Sequence, residues 1–328
     1  MPALILLTPG SRARLDGECV KIRRPDKEKG EESIHLRALD HVILDSRVDF
    51  TLGLLASCMR RHIPVIVTDR GQRIIGCALP PAAHAYVRCS QFEALRNPAP
   101  IAAPLVAVKI KNQRRLLQRL AANRARPTAS FAPALGGLLR QAAAETDLDR
   151  LRGIEGRAAH LYFSALDGFF PETCRLVERT RQPPKNEVNA ALSFGYTILG
   201  GEMICALHVA GLDPAFGFLH AFSEGRPSLA LDMIEPFRPA IADALALDLI
   251  GHAELRAGDH FEARDGGCFL NLAGRRVFFA AWEARMTRVF THEQSGFRTT
   301  PRDLLKRQAL LLKAHLMRRE PFTPFEMN

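Results

Sequence analysis

Between residues 80 and 88 the hydrophobic pattern changes period, and no other feature constrains the fold as much. Upstream, apolar residues come in short runs at 3–7, 12–15, 19–23, 34–36 and 41–44, with Pro9-Gly10 and Asp16-Gly17 between the first of them. Asp16-Gly17 between two such runs signals a hairpin, because glycine accepts the positive φ that a two-residue turn demands. Residues 51–61 fit one helix, with Leu52, Leu55, Ala56 and Met59 on one face. IPVIVT (63–68) reads as a buried strand, and Asp69-Arg70-Gly71 turns into a last strand at 73–78. Pro80-Pro81 marks a boundary, and from about residue 88 the apolar spacing becomes helical. The expectation is an α+β chain: a small N-terminal β-sandwich over residues 1–87, then a larger all-α domain over 88–328. A length of 328 residues suits two domains, and a hydrophobic content of 47% can fill a core in each.

In the helical part, residues 101–122 carry Lys109, Lys111, Arg114, Arg115 and Arg119, followed by Arg124 and Arg126, with no acid among them. Such a helix can lie along a phosphate backbone, or it can present a solvated face. In residues 150–166, Leu151, Ile154, Ala158, Leu161, Tyr162 and Ala165 make one apolar stripe, with Glu155 at its edge beside Tyr162. The most apolar long stretch, 190–212, contains Gly200, Gly201, Glu202 and His208. It reads as two buried helices, 186–199 and 202–209, separated by a glycine bend rather than as a membrane span. Residues 228–234 and 239–251 look helical, with Pro236 and Pro239 breaking them. A hairpin is expected around Ala273-Gly274, then helices at 283–290 and 300–319.

Lys plus Arg outnumber Asp plus Glu by 45 to 35, for a net charge of +10. The pI is about 9.6. Most of the basic residues are arginines, whose planar guanidinium grips phosphate oxygens in pairs, so nucleic acid is the natural partner class. An arginine-rich composition is the alternative source of that charge. The seven cysteines are odd in number and show no C-x-x-C spacing, which argues against a zinc, iron–sulfur or disulfide framework. The first residues, MPALILLTPG, lack a basic region and a long apolar run, so no signal peptide is expected and the reading is cytoplasmic.

The chemistry concentrates in GFLHAFSEGRPSLALDMIEPFRP (217–239), which packs His220, Asp232 and Glu235 around a turn-rich link. Imidazole plus carboxylate is a ligand set for Mn²⁺ or Mg²⁺. Asp232 and Glu235 are three apart, hence on one face of a helix. Their flanks Leu229, Leu231, Met233 and Ile234 are apolar, so this turn should be half-buried, and a buried carboxylate needs a partner or a metal. Glu155 is the candidate for a further ligand. Against this stand a satisfied core histidine, a surface glutamate and a solvated D-x-x-E face. The residues alone reach a candidate metal site in a basic helical domain and choose no substrate.

Four blocks do choose one. GIEGRAAHLYFSAL, RQPPKNEVNAALSFGYTILGGEMICALHVAGLDPAFGFLH, EGRPSLALDMIEPFRP and GGCFLNLAGRRVFFAAWEAR, in that order, resemble the core of the CRISPR-associated adaptation integrases, the Cas-one family. The resemblance covers most of residues 88–328, with a tail counterpart at Glu320-Pro321-Phe322, while residues 1–87 match in general pattern. It implies an N-terminal β-sandwich used for dimerisation and partner contacts, and an all-α catalytic domain. It implies a homodimer, two of which flank a dimer of a small Cas-two partner in a heterohexamer, with a separate Cas-four nuclease as a further partner. The implied activity is metal-dependent cleavage and joining of double-stranded DNA, in which a 3′-hydroxyl of a protospacer attacks a CRISPR repeat. The implied metal ligands are Glu155, His220 and Glu235, where many members have Asp, and Asp232 matches a further acid needed for activity. Candidate DNA-backbone contacts are Lys109, Lys111, Arg114, Arg115, Arg175, Arg179 and Arg181.

Three other readings remain at this point. A casposon-type transposon integrase would share the site and differ in its genomic setting. A non-catalytic DNA-binding scaffold would not bind Mn²⁺. A metal-dependent hydrolase of small substrates would lack salt-sensitive DNA affinity.

Overall fold

The structure is a computed structural model, and it describes residues 4–25, 30–39, 41–69, 74–78, 85–124, 130–180, 182–293 and 296–327. Pro80-Pro81, Arg70, Gly71, Arg73, Arg126 and Arg181 lie outside the described residues. The chain forms two compact units, Met1–Ala85 and Tyr86–Asn328.

The first unit contains β1 (Leu4–Leu6), β2 (Arg12–Asp16), β3 (Cys19–Arg23), β4 (Glu32–His35), β5 (Val42–Asp45), β6 (Asp49–Phe50), α1 (Leu52–Arg60), β7 (Val65–Thr68) and β8 (Ile74–Ala78). They build two four-stranded sheets, β1-β5-β7-β8 and β4-β3-β2-β6. Both sheets feed one core that includes Leu4, Leu6, Ala13, Val20, Ile22, Val42, Leu54 and Val65. Asp16 pairs with Cys19 across the expected hairpin, and Gly17 takes φ +59°. The first sheet is mixed: β1, β5 and β7 run parallel and only β8 is antiparallel. All four residues of β5 are buried, as a strand with parallel neighbours on both sides requires. One expectation fails at α1. Leu52 is 78% exposed, and the buried face is Leu54, Ser57 and Cys58. Ser57 and Cys58 are small and do not stand out in a hydrophobic pattern, so the largest side chains gave the wrong stripe.

The second unit is helical apart from two short hairpins. It contains α2 (Ala85–Ala94), α3 (Ala99–Asn123), α4 (Ala132–Ala144), α5 (Leu148–Asp167), α6 (Glu187–Ala210), α7 (Ser228–Ile234), α8 (Ala244–Gly251), α9 (Ala257–His260), β9 (Phe261–Arg264), β10 (Gly267–Leu270), α10 (Leu272–Thr287), β11 (Phe290–Thr291), β12 (Arg298–Thr299) and α11 (Pro301–Arg318). α6 is one helix, capped by Asn186 and closed by Gly211 at φ +83°, not two helices with a bend. Its most apolar window is long and apolar enough to cross a membrane, but 83% of that window is buried inside the unit. Two glycines in a helix cost about 1 kcal/mol each. Opening a buried helix would strand backbone groups with no water to bond, which costs more. The helix therefore runs on through Gly200-Gly201.

The hairpin expected at Ala273-Gly274 lies instead at Asp265-Gly266, where φ is +50° and +69°, and Arg264 pairs with Gly267. Gly274 belongs to the first turn of α10, which Asn271 caps by accepting from the Gly274 N–H at 2.9 Å. A Cβ there would meet the His260 carbonyl oxygen at 2.2 Å, so close approach of backbone, rather than a turn, selects this glycine. α10 also covers 272–287, where a helix had been expected only from 283.

Buried polar contacts tie α6 to the C-terminal helices. The Glu202 carboxylate accepts from Arg302 Nε and Nη2 at 2.8 and 2.9 Å and from the Trp282 indole N–H at 2.8 Å. Glu202 and Arg302 are each about 3% exposed.

Candidate active site

Five elements of the second unit converge on one cluster. α3 contributes Lys109 and α5 contributes Glu155. The loop after α6 contributes His220, α7 contributes Asp232, and the 3₁₀ turn Glu235–Phe237 contributes Glu235. The prolines at 236 and 239 remove two helical donors. The chain accordingly tightens into that 3₁₀ turn and then widens into a π-helical turn at Pro239–Asp243, which closes through Asp243 N–H to the Arg238 carbonyl at 2.9 Å. Asn112, one turn after Lys109 on α3, braces this bend. Its Nδ2 donates to the Pro236 and Phe325 carbonyls at 2.7 and 2.9 Å.

Asp232 is fully buried, and its carboxylate gathers the 218–220 loop. It accepts from the backbone N–H of Phe218, Leu219 and His220 at 2.5, 2.9 and 2.9 Å, and contacts His220 Nδ1 at 2.6 Å. A carboxylate holding Nδ1–H fixes the ring and leaves Nε2 as the free acceptor. Nε2 lies 4.0 Å from Glu235 Oε1. Asp232 and Glu235, three apart in a helical stretch, thus each reach a different nitrogen of the same imidazole. Asp232 is a positioning residue for His220. The fit depends on Gly217, where a Cβ would sit 2.8 Å from Ser228 Cβ and 2.9 Å from Asp232 Oδ2. Gly217→Ala should therefore lower stability by about 1–3 kcal/mol. Urea unfolding measures this, and an unchanged midpoint would contradict the packing described.

Glu235 is 2% exposed. Arg238 Nη1 lies 3.1 Å from its Oε1, and Lys109 Nζ lies 2.6 Å from its Oε2. Burial pushes the carboxyl up, but the Arg238 and Lys109 charges outweigh it and hold it down at about 2, so it is ionised at neutral pH. Lys109 Nζ also pairs with Glu155 Oε1. The Glu155 and His220 side chains are each 24% exposed, so the cluster opens to solvent through these two.

Behind Arg238 stands a second buried group. The Arg238 guanidinium lies over the Tyr196 ring at 4.4 Å. Tyr196 and Tyr162 donate their hydroxyls to Asp243 at 2.6 and 2.7 Å. Burial raises the Asp243 carboxyl from 3.8 to about 6, against the opposing pull of the two tyrosine hydroxyls and Arg238. Between those values the native state holds a proton that the unfolded chain has released, so this group's contribution to stability falls as pH rises through that window. Asp243→Asn should remove that part of the stability slope between about pH 4 and pH 6 in urea titrations. An identical slope in the variant would refute the assignment.

The expected DNA contacts divide. Lys109 is not on a solvated helix face: fifteen of the 25 residues of α3 are buried, and Lys109 is 4% exposed. It faces the site acids rather than a phosphate backbone. Lys111 pairs with Glu326, and Arg115 with Glu293 at 3.4 Å, both with open side chains. Arg114 packs against Gly136 of α4. Arg175 is held by Asp167 and Glu172, and Arg179 by Asn189 Oδ1 at 2.8 Å and Ser193 Oγ at 3.1 Å. Arg238, Tyr196, Asp243 and Asn112 were not singled out from sequence. The i, i+3 spacing of Glu235 and Arg238 was the one available signal.

Hard oxygen donors and an imidazole nitrogen suit a divalent ion such as Mn²⁺ or Mg²⁺. Glu235 Oε2 is buried and has an ion contact but no directed hydrogen-bond donor. That is an oxygen a cation can use. With Lys109 between the two glutamates, no three His, Cys, Asp or Glu side chains among the described residues stand close enough to hold an ion as they are.

Comparison with known proteins follows the same lines. A model of the family described as CRISPR associated protein Cas1 matches residues 4–284. The CRISPR-associated endonuclease Cas1 3 of Thermus thermophilus is 35% identical over 295 residues, covering 88% of this chain and 86% of the relative. A CRISPR-associated exonuclease Cas4/endonuclease Cas1 fusion of Geobacter sulfurreducens is 35% identical over 335 residues. The match covers 98% of this chain, which spans only 59% of the length of that fusion. Among solved structures, a chain of a Cas6-RT-Cas1--Cas2 complex superposes with a TM-score of 0.82 at 26% identity, covering 100% of this chain and 36% of that one. Family model, relatives and fold agree: the chain belongs to the CRISPR associated protein Cas1 family.

Proposed function

We propose that the protein is a metal-dependent DNA endonuclease and integrase that joins protospacer ends to a CRISPR array, with Glu155, His220 and Glu235 holding Mn²⁺ or Mg²⁺. The observation that carries this reading is the meeting of Glu155 and Glu235 at Lys109, with His220 beside Glu235 and oriented by Asp232, in a chain of the Cas1 family. In the reaction the 3′-oxygen of the incoming duplex forms a new bond to phosphorus. The P–O bond of the target strand breaks, and the proton of the attacking hydroxyl ends on the departing oxygen. A bound ion would neutralise charge on the phosphate and on the departing oxygen. The protein's own share is position and electrostatics. Asp232 holds His220 with Nε2 directed at the cluster, and Arg238 and the bend at Pro236 hold Glu235. With Nδ1 held by Asp232, the Nε2 lone pair is what His220 can offer to the ion. No protein nucleophile is needed.

The reading extends to partners. Relatives joined to Cas4 and a structure containing Cas2 support a small Cas-two partner and a Cas-four nuclease working with this chain. A homodimer and a heterohexamer built on it, acting in the cytoplasm, complete the proposal. Lys111, Arg115 and Arg175, which keep partly open side chains, are the best remaining backbone contacts.

The test incubates the protein and its small partner with Mn²⁺, a 3′-hydroxyl duplex and a plasmid carrying a repeat array. Covalent joining at the array is the expected result. Joining with no preference for the array would favour the casposon-type reading, and binding without joining would favour a scaffold.

A further inference from the structure

The metal reading uses Glu155, His220 and Glu235 and leaves Lys109 without a role. Yet Lys109 is the residue at the centre of the cluster. Its side chain is 5% exposed, and its ammonium bridges Glu155 Oε1 and Glu235 Oε2. We propose that Lys109 is an internal counter-cation that keeps the two glutamates together before an ion arrives, and that it makes ion binding depend on bound DNA.

The inference rests on the proposed ion site and follows from counting its charges. Glu155 and Glu235 carry two negative charges, and Lys109 and Arg238 carry two positive ones in direct contact with them. Each of the two glutamates is therefore already matched by a cation before any metal is added. Asp232 adds a further negative charge, but three backbone N–H groups and the imidazole already use it. A divalent ion entering this group adds two positive charges where both glutamates are already paired with cations. It also needs the glutamate oxygens that the ammonium now holds. Lys109 must give up at least one contact, and the excess charge must be met from outside. DNA phosphate is the anion that the substrate brings. A lysine ammonium on its flexible stem has three donors that can turn toward such a phosphate. Ion and DNA should thus favour each other's binding by the same factor, as linkage between two sites requires.

A merely structural ion pair makes different predictions, so the test measures ion affinity rather than activity. Mn²⁺ is titrated by electron paramagnetic resonance into wild type, Lys109→Gln, Lys109→Arg and Glu155→Gln. Each is measured alone and with a duplex ending in a 3′-deoxy sugar, so that no chemistry occurs. In wild type the duplex should tighten Mn²⁺ by about tenfold or more, within the usual range of coupling between sites. Lys109→Gln should bind Mn²⁺ about tenfold more tightly than wild type without DNA, and the effect of DNA should shrink. Lys109→Arg keeps the charge and should behave as wild type. In EDTA, Lys109→Gln should melt below wild type, and Mn²⁺ should restore it. A lysine needed only for folding would leave the melting temperature low in both.

Equal Mn²⁺ affinity in wild type with and without DNA would overturn the inference, whether or not Lys109→Gln folds well. So would equal affinity in wild type and Lys109→Gln, provided Glu155→Gln has lost binding. If Glu155→Gln binds Mn²⁺ like wild type, the ion site itself is misplaced, which is a separate failure.

Discussion

Glu155→Gln should slow joining of a 3′-hydroxyl duplex to an array plasmid by at least about 10³-fold. The estimate follows from an ion that supplies several kcal/mol of transition-state stabilisation, at about 1.4 kcal/mol per factor of ten. The amide keeps the size of the side chain and its place at the open edge of the cluster, so DNA affinity measured in EDTA, with no ion to couple to it, should change little. Asp232→Asn should give a smaller loss of about 10–100-fold, typical of a residue that acts through a ligand. An amide keeps one acceptor oxygen but puts an NH₂ group where either Oδ1 or Oδ2 now accepts from the 218–220 N–H groups, so the loop carrying His220 would loosen. The graded pair is informative. Single-turnover joining at saturating DNA measures both, and a Glu155→Gln enzyme within tenfold of wild type would place the chemistry elsewhere.

The largest loss of stability is expected far from this site, at Arg302. Arg302→Met would leave Glu202 buried without the guanidinium that now meets its charge through two donors. Breaking a buried pair by removing one partner costs about 3–5 kcal/mol. For a unit of this size that corresponds to a fall of about 10 °C in melting temperature. Adding Glu202→Gln in the same chain should recover much of the loss, because the stranded charge goes with it. Differential scanning calorimetry of the single and double variants checks this, and a single variant as stable as wild type would refute it. Well below the melting point, joining per folded molecule should be unaffected, which separates this residue from Glu155.

Local signals made a good part of this protein legible. The change from short alternating runs to helical spacing foretold a strand-rich first unit and a helical second one. The Asp16-Gly17 turn and the helix that carries Glu155 at the edge of its apolar stripe were readable because they depend on residues within about four positions of each other. The same rule explains Asp265-Gly266, a turn signal that was present but given to the wrong glycine.

Tertiary structure decided what is not local. In sequence, Lys109 is one cation in a run of them, and it reads as a phosphate contact. In the fold, α3 is a core helix, and the same side chain meets two acids from elements distant in the chain. In sequence, Gly200-Gly201 reads as a break, yet burial of α6 makes an interrupted backbone costlier than two glycines. Asp232 and Glu235 share a helical spacing, but it takes the folded-back loop 218–220 to place the His220 imidazole against both. Residue types and short-range spacing determined the elements and the ligand candidates. Which charges meet, and what lies between them, was decided by the packing of separate elements, because the energy of a buried charge depends on neighbours that no local pattern names.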